Sequence, residues 1–244
     1  PHVVTRRQRQ MCIRDRAYNH VFKNHYPDEE RSAARPLKTS PCYSRLAELG
    51  AVFGSVYGWE RANWFAPKNY QLAESDLNRD DTLWNKNHSA PLADGRIVEK
   101  NSFRRSNYFD FVGQECRHVK SSVGILDMSA FSKASVEGSD SETWLNSILA
   151  NKVPSKPGRI ALCHMLSLNG GVRAEFTVYR KSRNSFYLVF SGATERHDWD
   201  YLNKLLPKHG SINIQNITTQ KGVFVIAGPK SRSLLQKLTD ASLD

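Results

Sequence analysis

In the stretch Leu162–Arg180, LCHMLSLNGGVRAEFTVYR, Glu175 stands on the polar side of a strand pattern. Val172, Ala174, Phe176 and Val178 alternate with Arg173, Glu175, Thr177 and Tyr179. A period of two describes a strand with one face toward a core. Gly170-Gly171 tolerates the positive φ angles of a tight hairpin, so residues 159–166 form the partner strand. The face opposite the apolar row then carries a carboxylate, a hydroxyl and a phenol. Such a carboxylate can accept a proton or steady a developing cation. On the residues alone, a solvent-facing glutamate serves equally well. Other polar groups stand nearby in sequence. His164 and Met165 lie on the partner strand, Arg159 at its start, and His197-Asp198 at the head of a later helix.

The elements that must position these groups alternate along the chain. A helix from Tyr43 to Leu49 is stopped by Gly50. Asp110 can cap a helix over residues 111–122, which Gly124 can end. GILDMSAFSKASVEG supplies two short strands. Ser139-Asp140-Ser141-Glu142 is a capping-box signature opening a helix over Trp144, Leu145, Ile148 and Leu149. After the hairpin come a strand at 186–190, a helix over 194–206, strands at 211–217 and 222–227, and a last helix after Gly228-Pro229. Strands arriving as hairpins rather than single crossovers predict an α+β fold with a mostly antiparallel sheet and flanking helices. Residues 67–102 are polar and read as a surface linker.

Bulk composition narrows the classes. The 244 residues carry 39% apolar and 10% aromatic side chains, enough to bury a core. No apolar run approaches the roughly 18 residues of a membrane span, and the chain is expected to have no membrane partner. Cys12, Cys42, Cys116 and Cys163 are scattered without a C-x-x-C pair, which argues against a zinc ribbon or a disulfide framework. They suit a reducing compartment, and the expected location is the cytoplasm. The net charge of +11 first suggests nucleic acid. Residues 1–16 carry +4 of it and resemble a translated sequencing-adapter scar, so they are set aside. The remaining +7 is spread thinly without a basic helix, and no nucleic-acid partner is expected.

Three stretches carry a resemblance: GQECRHVKSSVGILDMSAFSKASVEG, LNSILANKVPSKPGRIALCHMLSLNGGVRAEFTVYR and AGPKSRSLLQKLT. From Gly113 to Leu238 the chain resembles the folate-binding domain of the glycine-cleavage T-protein (aminomethyltransferase) superfamily. Upstream, FGSVYGWERANWFAP looks like sarcosine and dimethylglycine dehydrogenases, and HYPDEERSAARPLKTSPCYSRL resembles the end of their central domain. The resemblance implies that residues 17–66 close an FAD-oxidoreductase central domain. It implies that residues 103–244 are the N-terminal part of an incomplete folate-binding domain. The chain reads as a piece of a longer enzyme, with the FAD domain in front and further folate-domain sequence behind.

The chemistry so implied is one-carbon transfer. A flavin oxidises an N-methylamine to an iminium, and tetrahydrofolate captures the carbon. Glu175 falls on the second acid of the family pattern GGxxDD and is the implied catalytic group. Met165, Glu175, Tyr179 and Arg159 are the implied folate-binding residues, with no metal. Leu162 departs from a frequent tyrosine, and Ala130 replaces a common histidine, while Ser129 is kept. Asn151 matches a family asparagine and reads as a cap or turn residue. Trp59, Glu60, Arg61 and Trp64 read as junction packing. Two alternatives stay open. One is a folate-dependent demethylase using another methyl donor, and the other is a non-catalytic scaffold of the same fold.

Overall fold

A computed structural model describes residues 26–30, 35–72, 92, 94–100 and 102–243. The expectations for residues 1–16 and 73–91 lie outside them. Helix α1 spans Tyr43–Glu48 and leads into an antiparallel pair, β1 (Ala51–Val56) and β2 (Trp59–Phe65). Gly50 turns the chain between them at φ +88°, where an added Cβ would lie 2.5 Å from the Ala66 carbonyl oxygen. Then follow α2 (Phe109–Ser121), β3 (Gly124–Asp127), β4 (Ser132–Glu137) and α3 (Ser141–Ile148). Strands β5 (Ile160–Leu166), β6 (Val172–Ser182) and β7 (Ser185–Phe190) form a meander. Helix α4 (Glu195–Lys204), β8 (Asn213–Asn216), β9 (Phe224–Ala227) and α5 (Ser231–Leu235) complete the order.

Five strands make the main sheet in the order β5-β6-β7-β4-β8, and β3 pairs with β9 in a separate ribbon. Every named pairing is antiparallel. The α+β expectation holds. One face of the main sheet carries Ala134, Val136, Cys163, Met165, Ala174, Phe176, Val178, Phe186, Leu188 and Phe190. Trp144 and Leu145 of α3, and Leu202 of α4, cover it. Each fully buried large side chain here contributes about 1.5–3 kcal/mol. Burial of the Cys163 thiol in this layer raises its pKa.

Local details differ from the sequence expectation for stated reasons. The hairpin turn runs over Ser167–Gly171: the Ser167 N–H donates to Gly171 O at 2.8 Å and the Gly170 N–H to Ser167 O at 2.9 Å. Gly170 takes the left-handed position of that longer loop, at φ +78°. Arg173 is an extra residue in β6, since Met165 pairs with Ala174 while Leu166 pairs with Val172. The bulge shifts Val172 out of the apolar row, and it is exposed. Tyr108, not Asp110, stands at the N-cap of α2, and Asp110 lies in the first turn, where it complements the helix dipole. Gly124 opens β3 instead of ending α2; an added Cβ would meet Val119 Cγ2 at 2.6 Å.

Around residues 67–102 the packing differs from a surface linker. Leu92 and Val98 are buried in a second cluster with Val52, Trp64 and Ala66, and Tyr70, Tyr108, Phe111 and Val112 pack against it. Trp64 stacks on Tyr108 and Phe111 at 5.4 and 5.6 Å, and its Nε1–H donates to Glu99 at 2.7 Å. Burial pushes the Glu99 carboxyl upward in pKa.

Candidate functional site

The β5–β6 hairpin places Glu175 opposite His164. His164 Nε2–H donates to Glu175 Oε2 at 3.1 Å, with the two side chains 37% and 58% exposed. The pair adds little to stability at that exposure, but it fixes the direction of the carboxylate. His164 is itself fixed by the chain beside it. The Asn151 side chain accepts from the His164 N–H at 3.0 Å and donates to Leu162 O at 2.6 Å. Ala150 N–H donates to His164 O at 2.7 Å. Asn151 thus acts as a one-residue strand along the β5 edge, a role beyond the cap or turn that its sequence position suggested.

The implied folate-binding residues do not converge. Glu175 and Tyr179 share a face of β6 but are four residues apart, about 13 Å along the strand. Tyr179 pairs with Ile160 and lies 6.1 Å from the Tyr187 ring. Exposed Arg159 precedes Ile160, about 17 Å from His164 by the same rise. Met165 is 1% exposed in the core layer, on the face opposite Glu175. Strand parity explains its position: His164 shares the Glu175 side, so its neighbour Met165 turns to the helices. Between Glu175 and Tyr179 the open face presents Leu162, Thr177 and Val189.

Two further groups lie at this end of the sheet: the His197-Asp198 pair named from sequence, whose partners the sequence did not reveal, and a cleft the sequence did not announce. The Asp198 carboxylate, buried to 1% exposure, accepts from Thr194 Oγ1 and from His197 Nδ1–H at 3.0 Å. Arg173 Nη2 donates to His197 Nε2 at 3.0 Å, and its guanidinium lies 3.7 Å from the Tyr201 ring centroid. Arginine can only donate, so His197 accepts at Nε2 and keeps its proton at Nδ1. This chain ties the bulged start of β6 to α4. The second group is a cleft of about 140 Å³ lined by Val56, Tyr57, Arg61, Met128, Phe131 and Gly192, among others. Ser191, also on its wall, follows Phe190, the register partner of Phe176. The cleft therefore opens on the β7 side of Glu175, whose carboxylate turns the other way, to His164 on β5. Its parts come from three turns far apart in sequence, so no local pattern announces it.

Behind the cleft, Lys133 is buried with Nζ donating to Ser129 O and Phe131 O, each at 2.8 Å. Burial lowers its pKa. It holds the β3–β4 turn in place. Among the described residues no cluster of three or more His, Cys, Asp or Glu could hold a metal, and no helix is long and apolar enough to cross a membrane.

The fold and this arrangement define a class. Residues 42–244 match the GCVT N-terminal domain family, and the chain belongs to it. Human dimethylglycine dehydrogenase, mitochondrial, is 36% identical over 220 residues, which cover 89% of this chain and 22% of that protein. Human sarcosine dehydrogenase, mitochondrial, is 25% identical over 256 residues, covering 95% of this chain and 27% of that protein. The chain thus spans about a quarter of the length of these curated relatives. The crystal structure of glycine cleavage system aminomethyltransferase T from Bartonella henselae superposes with a TM-score of 0.57 at 18% identity, over 82% of this chain and 43% of that one. That likeness shows the aminomethyltransferase fold.

Proposed function

We propose that this chain is the tetrahydrofolate-binding, one-carbon-transfer part of a dimethylglycine or sarcosine dehydrogenase-like enzyme. The observation that carries the reading is the His164–Glu175 pair beside the cleft, in a member of the GCVT N-terminal domain family. The residues suit a flat, anionic, amine-bearing ligand: a directed carboxylate, an open face of Leu162, Thr177 and Tyr179, and a guanidinium at the cleft. Bound tetrahydrofolate supplies the nitrogens that take up the one-carbon unit. Glu175 accepts the proton released there or steadies the cation as it forms, with His164 keeping the carboxylate directed. Tyr179 offers a ring surface, about 13 Å away along β6. Met165 acts only through packing, from behind the sheet.

Flavin chemistry belongs to another part of such an enzyme, since the sequence contains no G-x-G-x-x-G fingerprint. The free cysteines Cys42, Cys116 and Cys163 fit a reducing compartment, the cytoplasm in the simplest case. In the flavin-linked enzyme, Glu175→Ala leaves amine oxidation intact and lowers methylenetetrahydrofolate yield about 10²–10³-fold, with formaldehyde released instead. Glu175→Asp is mild. Unchanged folate coupling in the alanine variant returns Glu175 to a solvent role.

A further inference from the structure

Arg61 is the odd member of its residue type. Among the described residues, the other buried or half-buried arginines face acceptors or a ring. Arg35 is held by Glu60 and Glu30, Arg96 by Asp94, Arg180 by Glu142, and Arg173 by His197 and Tyr201. Half-buried Arg61, paired with Gly54 in the β1–β2 ribbon, donates from Nη2 to the thioether of Met128 at 3.6 Å and has no ion pair among the described residues. Sulfur is a weak, neutral acceptor. A guanidinium carries five donors, so donors remain beyond the one given to Met128 where Arg61 lines the cleft.

The rest of that cleft is uncharged. Val56, Tyr57, Met128, Ala130 and Phe131 supply apolar and aromatic wall, and no acidic residue among the described residues lines it. Its glycine cannot be replaced cheaply, since a Cβ on Gly192 would stand 2.2 Å from the Ala130 carbonyl oxygen. One fixed cation in a neutral, largely apolar wall favours an anion over a neutral or cationic ligand, and a planar fork favours a carboxylate. The volume of about 140 Å³ corresponds to four or five water volumes. That admits one end of a ligand, not a whole folate.

We propose that Arg61 and this cleft bind the carboxylate end of a small amphiphilic ligand, with its nitrogen-bearing end toward Glu175. Two ligands share that chemistry, an N-methylated amino acid and the glutamate tail of a reduced folate. The polarity fits either. Arg61 meets the negative end, and one strand beyond Ser191 the acidic residue is Glu175. The proposal rests on the folate-transfer reading for its choice of ligands, not for the site itself.

The test titrates the full chain with N,N-dimethylglycine, its neutral amide, 5-formyltetrahydrofolate and a pterin lacking the glutamate tail, following backbone amide resonances. The acid is expected to shift Tyr57, Arg61, Met128 and Phe131 and to bind at least tenfold more tightly than its amide, or the tailed folate to do so relative to the tail-less pterin. The first result assigns the amino acid, the second the folate tail. Arg61→Met should weaken the preferred ligand about tenfold to a hundredfold, and Arg61→Lys less. The comparison of acid with amide needs no variant, so it stands even if Arg61→Met does not fold. Equal binding with and without the carboxylate in both pairs, or unchanged affinity in a folded Arg61→Met, overturns the proposal. Carboxylate-dependent binding at the cleft with no folate binding anywhere keeps the Arg61 site and removes the folate-transfer reading.

Discussion

A carboxylate on an exposed strand serves chemistry only if its direction is fixed, and at Glu175 the fixing group is one imidazole 3.1 Å away. The alternation of β6 put Glu175 on its polar side, but β5 is apolar at nearly every position, so neither the His164 partner nor the inward turn of Met165, expected among the folate-binding residues, was legible there. The same alternation puts Arg180 on the buried side of β6, but it names none of the partners that a buried guanidinium needs. Arg180 is 4% exposed and donates to Glu142 and to the carbonyls of Pro154, Ser182 and Arg183. Arg180→Met should cost about 3 kcal/mol, because buried carbonyls lose their donor at about 1–3 kcal/mol each. Its guanidinium holds the half-exposed Glu142 carboxyl below the usual range. A depressed carboxyl stabilises the fold above the ordinary carboxylate pKa and ceases to do so as pH falls through the lowered value. Glu142→Gln should therefore cost less than about 1 kcal/mol near neutral pH, and that cost should fade in acid once the lowered carboxyl is protonated. Chemical denaturation of both variants at neutral and acid pH checks this.

At the scale of elements, the hairpin is held from two sides. Asn151 and Ala150 satisfy the β5 edge, and Arg173 ties the bulge to α4 through His197. An unprotected edge strand invites pairing with another chain. Asn151→Ala should leave the His164 N–H and the Leu162 carbonyl open. It should cost about 1–2 kcal/mol and speed hydrogen exchange at the His164 amide ahead of the rest of β5. Unaltered exchange there would show that the edge is held by other means. From α2 onward helix and strand existence followed from periodicity, whereas β1 and β2 did not, lying in an aromatic stretch without that pattern; nor did the bulge, because a single extra residue leaves the apolar pattern intact on one side. The second cluster was also hidden. Trp64, Tyr70, Tyr108 and Phe111 are scattered through polar sequence, and their rings meet only when β2, the segment around Val98 and α2 come together.

For the molecule as a whole, the net charge invites a test of nucleic-acid binding. A diffuse surplus of +7 beyond residue 16 gives only counterion-driven attraction to a polyanion. The chain from Ala17 onward should bind DNA or RNA weakly and lose it as salt rises, while tight binding at high salt would revive a nucleic-acid role. The central claim is that a reduced folate is held at the Glu175 end of the main sheet. Its most direct measurement is a titration of the chain with tetrahydrofolate under reducing conditions, mapping backbone amide resonances. The account predicts saturable binding with shifts concentrated at His164, Glu175, Thr177 and the Ser191–Ala193 turn. It also predicts weaker binding or altered shifts at those positions in Glu175→Ala. No saturable binding, or shifts confined to surfaces away from that end of the sheet, would contradict it.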